Sequence, residues 1–131
     1  MTWPATHISL SIDRTPGEVS AFAGDPANLP LWAAGLGHGI REEAGRWFAE
    51  MPDGTVEVRF TGPVGAGVLD HEVLLPSGDV VLNPFRVLAN DGGSEVVFTL
   101  FRREGVAADD LEADALAVAA DLATLKRLLE S

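Results

Sequence analysis

Four residues of the chain have side chains suited to acid–base chemistry or to holding a polar ligand, and the sequence pattern places all four on one face of a β-sheet. They are His38, Glu42, His71 and Arg86. A glutamate with a histidine is common equipment for proton transfer, and an arginine can donate two parallel hydrogen bonds to a carbonyl, enolate or carboxylate. A buried charge is costly unless it is paired or serves a ligand. The four residues therefore predict a polar site inside an otherwise apolar interior.

Three interpretations of these residues are open from the sequence. In the first, the site is catalytic, with His71, Arg86 and Glu42 as the candidate residues. In the second, the same side chains bind a small molecule without reacting with it. In the third, they are structural, because His38 and Glu42 lie near strand ends and reach solvent while Arg86 and His71 form a polar pair in the core. The choice depends on which face of the sheet each residue occupies.

The faces follow from the turns between strands, because turn length sets which residues are paired. Two-residue turns are predicted at Ala44-Gly45, Asp53-Gly54 and Ser77-Gly78. The last turn pairs His71 with Pro84. It also pairs Leu69 with Arg86, so that Arg86 and His71 become diagonal neighbours on the inner face. A shift of one residue in this hairpin would turn Arg86 to the other face.

Several further pairs follow from the same turns and the loop between Thr61 and Val68. They are Glu42 with Trp47, Met51 with Val56, Trp47 with Phe60, and Arg59 with Asp70 as an exposed charge pair. The last hairpin leaves two alternatives. A three-residue turn places Val96, Phe98 and Leu100 inside, whereas a four-residue turn places Val97, Thr99 and Phe101 there.

Composition limits the classes of function. The chain has 131 residues, of which 47% are hydrophobic. We therefore expect one domain over residues 1–131, with a core that is stable without a metal or disulfide bonds. A net charge of −11 argues against nucleic acid and anionic lipid as partners. Cysteine is absent, no metal-ligand spacing or phosphate-binding loop is present, and no apolar run is long enough to cross a membrane. We therefore expect a cytoplasmic protein with no metal, no cofactor and no membrane contact.

The elements that must position the site can be taken in chain order. Alternation from His7 to Asp13 predicts a strand, and Thr15-Pro16 and Asp25-Pro26 each predict the start of a short helix. Six strands follow between His38 and Arg103. Asp109 to Glu130 then predicts a long helix, with Asp109 as its N-cap. Its apolar stripe consists of Leu111, Ala115, Val118, Leu122, Leu125 and Leu129.

This order of elements resembles the helix-grip, START-like fold. The opening, with its Thr-Pro-Gly-Glu-Val helix start and the Asp25 to Trp32 segment, is similar to that of SRPBCC proteins, the superfamily of polyketide cyclases, lipid-transfer domains and birch-pollen-type allergens. The Asp70-His71 strand, the Ser94 to Arg103 strand and the final helix resemble small bacterial members described as polyketide cyclase-like. The resemblance implies an α+β fold in which a seven-stranded antiparallel sheet wraps around a long C-terminal helix, with two short helices between strands 1 and 2.

A cavity between sheet and helix is the functional feature that this resemblance implies. The expected ligand is a small hydrophobic molecule, aromatic or polyketide-like, with a few oxygens. The expected ligand-binding residues are Trp32, His38, Trp47, Phe60, His71, Arg86, Phe98 and Leu122. Trp32 follows Pro30 in the segment that closes one end of such cavities in the family. The chain has no tyrosine, although aromatase/cyclase members are thought to combine phenolic and arginine side chains.

Two rival functions accompany the binding hypothesis. One is a polyketide aromatase/cyclase-type enzyme that uses the Arg, His and Glu side chains of the cavity. The other is a homodimeric interaction protein without a ligand, because the outer face of the sheet is expected to carry an apolar patch. That patch consists of Phe48, Leu74, Val81, Phe85 and Val87.

Overall fold

The structure, a computed structural model that describes residues 1–131, combines antiparallel sheets with one long C-terminal helix. Its strands are β1 (Ala5–Ile12), β2 (Arg41–Glu43), β3 (Arg46–Met51), β4 (Gly54–Phe60), β5 (His71–Leu74), β6 (Val80–Asn83), β7 (Phe85–Asn90) and β8 (Gly93–Phe101). Its helices are α1 (Pro16–Ala23), α2 (Leu29–Trp32) and α3 (Ala108–Glu130). Short 3₁₀ turns occupy Pro26–Asn28, Ala34–Leu36 and Val64–Ala66.

The strands form two sheets rather than the predicted sheet of seven. One sheet has the order β2-β3-β4-β5-β6 and the other has the order β1-β8-β7. The additional strand arises at Pro84, which divides what the sequence suggested was one strand into β6 and β7. Proline has no backbone N–H for the ladder, and the chain changes partner there from β5 to β8.

A short bridge connects the two sheets just before β5. The Leu69 backbone N–H donates to the Phe85 carbonyl at 2.8 Å, and the Val87 N–H donates to the Gly67 carbonyl at 2.9 Å. Gly67 has a φ of +82°, and a Cβ there would collide with the carbonyl oxygen of Val87. Glycine is therefore required at this position if segment 67–69 is to lie against β7.

Two early hairpins keep the predicted faces. Glu42 pairs with Trp47 as predicted, across a turn in which Ala44 has a φ of +53°. The next hairpin pairs Met51 with Gly54 instead of Val56. That prediction is wrong by two residues, and because side chains alternate with a period of two, every residue of β4 keeps its predicted face.

The hairpin between β5 and β6 is shifted by one residue, which reverses the faces that follow it. His71 pairs with Asn83, not with Pro84. The cause is a three-residue loop, Pro76-Ser77-Gly78, in which the Gly78 N–H donates to the Leu75 carbonyl and Gly78 has a φ of +94°. Proline favours the second position of a type I turn, and a following left-handed glycine makes the loop odd in length.

The helices carry the starts that the sequence predicts, with one exception. Thr15 caps α1 by accepting a hydrogen bond from the Glu18 N–H at 3.3 Å. Asp25 caps the following 3₁₀ turn in the same way. The N-cap of α3 is Ala107, which has no capping side chain, so the prediction of Asp109 as N-cap is wrong. Asp109 lies in the first turn, where its charge still suits the helix dipole.

The core lies between the sheets, α1 and the C-terminal half of α3. Thirteen buried residues form one cluster, and Leu122 and Leu125 of α3 have no exposed surface. In the last hairpin, Val96 and Phe98 face the core, which is the alternative that the sequence linked to a three-residue turn. The turn itself has two residues, Asp91 and Gly92.

Candidate functional site

Two adjoining pockets lie between the sheets and the N-terminal half of α3, and we refer to them as the inner and outer compartments. The inner compartment has a volume of about 120 Å³ and is mostly apolar. The outer compartment has a volume of about 480 Å³. Val73, Phe98 and Val118 line both compartments, which therefore adjoin at these residues.

The outer compartment occupies the gap that Pro84 creates between the sheets. β6 pairs only with β5, and beyond Phe98 the only strand paired with β8 is β1. The Thr99 N–H still donates to the Pro84 carbonyl at 2.9 Å, and past this bond β6 and β8 are not paired with each other. Residues from both strands line the compartment, together with Leu111 and Asp114 of α3. Arg103, in the loop after β8, provides a guanidinium at this end.

Aromatic rings form a continuous chain along the inner compartment. Trp32 lies 5.9 Å from Phe85 between ring centroids, and Phe85 lies 5.3 Å from Phe98. His71 follows at 5.8 Å from Phe98 and 5.4 Å from Phe60. Tilted and edge contacts at such distances are the favoured geometries of aromatic pairs. The chain gives the compartment rigid walls suited to a flat apolar ring.

His71 is the polar group on the sheet side of this compartment. Its Nδ1–H donates to the Leu69 carbonyl at 3.0 Å, which leaves Nε2 as an acceptor. The Asn83 amide approaches Nε2 at a long 3.5 Å. Burial lowers the pKa of the imidazole, and this outweighs the backbone hydrogen bond and the nearby charge of Asp70. His71 is therefore a neutral acceptor near physiological pH.

Asp121 is the polar group on the helix side, and the sequence interpretation missed it. Its Oδ1 accepts a hydrogen bond from the Ala34 N–H at 3.1 Å, which ties α3 to the segment after α2. Desolvation raises the pKa of its carboxyl group, and the bond to Ala34 acts in the opposite direction. The available signal was its spacing, because Asp121 is three residues after Val118 and four before Leu125 in the apolar stripe.

Trp32, which lines the same compartment, carries a buried donor without a partner. Its side chain is 5% exposed, and its indole Nε1–H is the buried side-chain polar atom for which the structure shows no hydrogen-bond partner. Such a group costs roughly 1–3 kcal/mol relative to one that is satisfied. Leu29, Trp32, Ala33 and Leu36 all line the compartment, and their helical spacing is a signal that could have identified the whole wall.

The predicted ligand-binding residues divide into three groups. Trp32, Phe60, His71 and Phe98 line the inner compartment. Leu122 is buried in the packed core beyond it, and Trp47 is half-buried on β3 outside both compartments. The third group, His38, Glu42 and Arg86, is exposed and away from the cavity. Four of the eight predicted ligand-binding residues therefore lie together in the inner compartment.

The prediction that Arg86 and His71 are neighbours inside the cavity is wrong. The one-residue shift of the β5–β6 hairpin turns Arg86 outward, where its side chain is 51% exposed. Its Nε and Nη2 donate to the two carboxylate oxygens of Asp70 at 2.9 and 2.8 Å. This fork lowers the pKa of Asp70, and it replaces the predicted pair of Asp70 with Arg59. Arg59 instead faces Glu72 across the strands and lies 3.6 Å from Glu57.

Glu42 and His38 also fall outside the predicted site. Glu42 is on the three-residue strand β2 at the edge of its sheet, and its side chain is exposed. His38 precedes that strand and lines only a surface depression with Arg41 and Glu50. His38 and Glu42 stay exposed although the predicted alternation points both toward the inner face, because strand β2 is too short to cover the cavity. The triad of His71, Arg86 and Glu42 therefore does not assemble.

The apolar patch predicted on the outer face is not formed, because the shifted hairpin turns three of its five residues inward. Phe85 and Val87 are core residues, and Val81 lines the outer compartment. Phe48 and Leu74 remain on the outer face and are half-buried, with the Arg41 and Arg46 guanidinium groups over the Phe48 ring at 5.7 and 5.3 Å. The residues proposed for dimer contact therefore do not form a surface.

No cluster of three or more metal-ligating side chains occurs in the structure. None of the helices is both long and apolar enough to cross a lipid bilayer.

Comparison with known proteins gives the fold a precedent. No family model and no curated protein sequence matches the chain. Among solved structures, XoxI from Bacillus cereus is 16% identical with a TM-score of 0.75, and the match covers 97% of this chain and 96% of that one. Ara h 8.0201, a Bet v 1-like protein, is 14% identical with a TM-score of 0.67 over 96% and 97% of the two chains. The chain has the helix-grip fold. In this fold the long C-terminal helix lies against antiparallel strands, as α3 does here.

Two further solved structures share this fold. The Aha1 protein of Colwellia psychrerythraea, solved as a dimer, is 14% identical with a TM-score of 0.77 over 97% of this chain and 96% of that one. DynU16, from the dynemicin biosynthetic locus, is 14% identical with a TM-score of 0.72, and the match covers 97% of this chain and 47% of that one. Identities this low establish a shared fold and leave function to the site itself.

Proposed function

We propose that the protein binds a small, largely apolar aromatic molecule in the cavity between the sheets and α3. The observation that carries the proposal is the inner compartment, in which ten of twelve lining residues are hydrophobic and the other two are His71 and Asp121. An apolar concave site with a few fixed polar groups is the usual composition of small-molecule sites. The fold supports the proposal, because Bet v 1-like and biosynthetic-locus proteins share it.

The size of the compartments favours a ligand with more than one ring. A cavity of about 150 Å³ lined by apolar residues is known to hold benzene, so the inner compartment, at about 120 Å³, accepts roughly one ring. The rest of the molecule would extend past the shared residues Val73, Phe98 and Val118 into the outer compartment, which also contains Arg103 and Asp114. A fused or linked aromatic compound, such as a polyketide-derived phenol, has these proportions.

An enzyme of the aromatase/cyclase type receives less support than a binding protein. Of the three side chains predicted for catalysis, only His71 lines the cavity. A neutral imidazole can accept a proton, but neither Arg86 nor Glu42 is placed to stabilise an enolate. We therefore propose binding, with any reaction limited to what His71 could assist.

The test uses the neutral, environment-sensitive dye N-phenyl-1-naphthylamine, whose emission rises when it leaves water. Saturable binding with a stoichiometry of one is expected for the native protein. Phe98→Trp, which enlarges a side chain shared by both compartments, should weaken binding at least roughly tenfold, as expected when overpacking must be relieved for the dye to enter. Leu116→Trp, at a position of α3 that is 68% exposed and lines neither compartment, is the matched control and should change affinity little. Absence of saturable binding by the native protein would refute the proposal.

A further inference from the structure

The inner compartment contains hydrogen-bonding groups but no cation. His71 offers an acceptor at Nε2, Trp32 has an unpaired indole donor, and Asp121 adds a carboxylate with one oxygen held by Ala34. The nearest guanidinium among the cavity-lining residues, Arg103, belongs to the outer compartment. The polar character of the inner end is thus neutral to anionic.

From this arrangement we infer that the ligand enters with a neutral hydroxyl-bearing ring foremost, and that its hydroxyl donates a hydrogen bond to Nε2 of His71. The inference rests on the proposed function and specifies the chemical class and orientation of the ligand. It differs from the sequence-based expectation, in which Arg86 would have bound a carbonyl or carboxylate.

The donor requirement follows from the imidazole. The Leu69 carbonyl at 3.0 Å fixes the proton on Nδ1, so Nε2 can only accept. Its partner in the structure is the Asn83 amide at 3.5 Å, a long and weak hydrogen bond that a closer donor can replace. A hydroxyl supplies the missing proton, whereas an ether, a ketone or a carboxylate would bring lone pair against lone pair.

The exclusion of a carboxylate follows from Asp121. Its side chain is half-buried in the same compartment, and no Arg or Lys lies within salt-bridge distance of it. A second carboxylate would face like-charge repulsion in a region of reduced polarity. An acid would have to remain outside, near Arg103, or bind in the reverse orientation.

The unpaired Trp32 donor supports the same class of ligand. The structure shields this N–H from solvent, so a ligand oxygen would reach it only after the indole ring moves. The hydrogen bond would then remove the cost of leaving that buried donor unsatisfied.

Four naphthalene probes test the inference by calorimetric titration of the native protein. 2-Naphthol should bind roughly three- to tenfold more tightly than naphthalene, the gain expected of one neutral hydrogen bond. 2-Methoxynaphthalene, which keeps the oxygen but cannot donate, should not bind more tightly than naphthalene. 2-Naphthoate should bind more weakly than naphthalene.

A matched pair of variants assigns the effect to a residue. His71→Phe should remove the preference for 2-naphthol over naphthalene, while His7→Phe, an exposed histidine on β1, should retain it. Thermal denaturation checks that both variants fold. If His71→Phe does not fold, the probe series in the native protein alone tests the preference for a hydroxyl-bearing ligand. In a ¹H–¹⁵N spectrum, 2-naphthol should also shift the Trp32 indole resonance, identified by its loss in Trp32→Phe.

The outcomes separate the inference from the function that underlies it. Tight binding of naphthalene, with equal or tighter binding of 2-naphthoate or 2-methoxynaphthalene than of 2-naphthol, would overturn the inference and leave the proposed function standing. Failure of all four probes to bind would overturn both. Retention of the 2-naphthol preference in a folded His71→Phe variant would overturn the role of His71.

Discussion

The two halves of α3 present the same apolar stripe to different surroundings. In the C-terminal half, Leu122 and Leu125 have no exposed surface and belong to the main core cluster. In the N-terminal half, Leu111, Ala115 and Val118 are only half-buried. The sheets approach the helix closely at one end and diverge at the other, where Pro84 splits β6 from β7.

This difference places the packed core and the proposed binding site at opposite ends of a single helix. Tightly packed positions contribute most of the hydrophobic free energy, since interiors are normally filled to crystal-like density. Half-buried positions beside a void contribute less and leave room for a ligand. The polar groups are distributed in the same way, with Asp121 at the boundary between the halves and His71 opposite it on the sheet.

The largest expected effect comes from the packed half. Leu122→Ala should lower the free energy of unfolding by about 2–5 kcal/mol, because the residue is fully buried and a cavity would remain. Urea denaturation followed by circular dichroism measures the change. A loss below about 1 kcal/mol would contradict the assignment of this half as the core.

Val118→Ala provides the contrasting change in the loose half. The free energy of unfolding should fall by about 1 kcal/mol or less, because the removed methyl groups border a void and are partly exposed. The same urea titration compares it with Leu122→Ala. Equal costs for the two variants would mean that the halves are packed alike.

The pH dependence of stability should report on His71. Its pKa is lowered on folding, so the unfolded chain binds the proton more readily, and the stabilisation present above pH 6.5 is lost as the pH falls below that value. His71→Phe should therefore lose less stability than the native protein between pH 8 and pH 5, as measured by urea titrations at several pH values. Parallel curves for the two proteins would show that His71 is not buried in its neutral form.

Asp121 should show the opposite sign. Folding raises its pKa, so the native protein binds the proton more readily between pH 3.8 and the raised value, and this residue favours folding increasingly as the pH falls through that window. Asp121→Asn keeps an oxygen for the Ala34 N–H and should be as stable as, or slightly more stable than, the native protein at neutral pH. A marked loss of stability at pH 7 would show that the charge itself holds the helix to the segment after α2.

Arg86→Met should have the smallest effect. The ion pair with Asp70 is exposed, so its loss should change the free energy of unfolding by about 0–1 kcal/mol, and dye binding should remain unchanged. Thermal denaturation and dye titration measure the two quantities. A clear loss of affinity would restore Arg86 as a ligand-binding residue.

The order of elements and the long helix were predictable from the sequence, whereas the contents of the cavity were only partly so. Periodicity identified the stripe of α3, and Thr15-Pro16 identified the start of α1, because both depend on local chemistry. The pairing of Met51 with Gly54 shows why an error of two residues does no harm to the faces.

The errors arose where a single residue decides which face of a sheet the following side chains occupy, or which strand a segment pairs with. Pro76 makes the Pro76-Ser77-Gly78 loop odd, and that single choice moved Arg86 out of the cavity and Phe85 into the core. Asp121 was missed because a charged residue at the margin of an apolar stripe is indistinguishable from one on the solvated face until the sheets are placed. The two-sheet arrangement depends on Pro84, whose effect on strand partners is tertiary.

The central claim is that the loose half of α3 borders the binding site, and one pair of variants on that helix tests it directly. Val118 lines both compartments, whereas Leu116, two residues earlier, is 68% exposed and lines neither. The measurement is the affinity for N-phenyl-1-naphthylamine of folded Val118→Phe and Leu116→Phe. The account predicts at least a roughly tenfold loss for Val118→Phe, whose larger ring takes space from the compartments that Val118 lines, and no change for Leu116→Phe. Native affinity in both variants would contradict it.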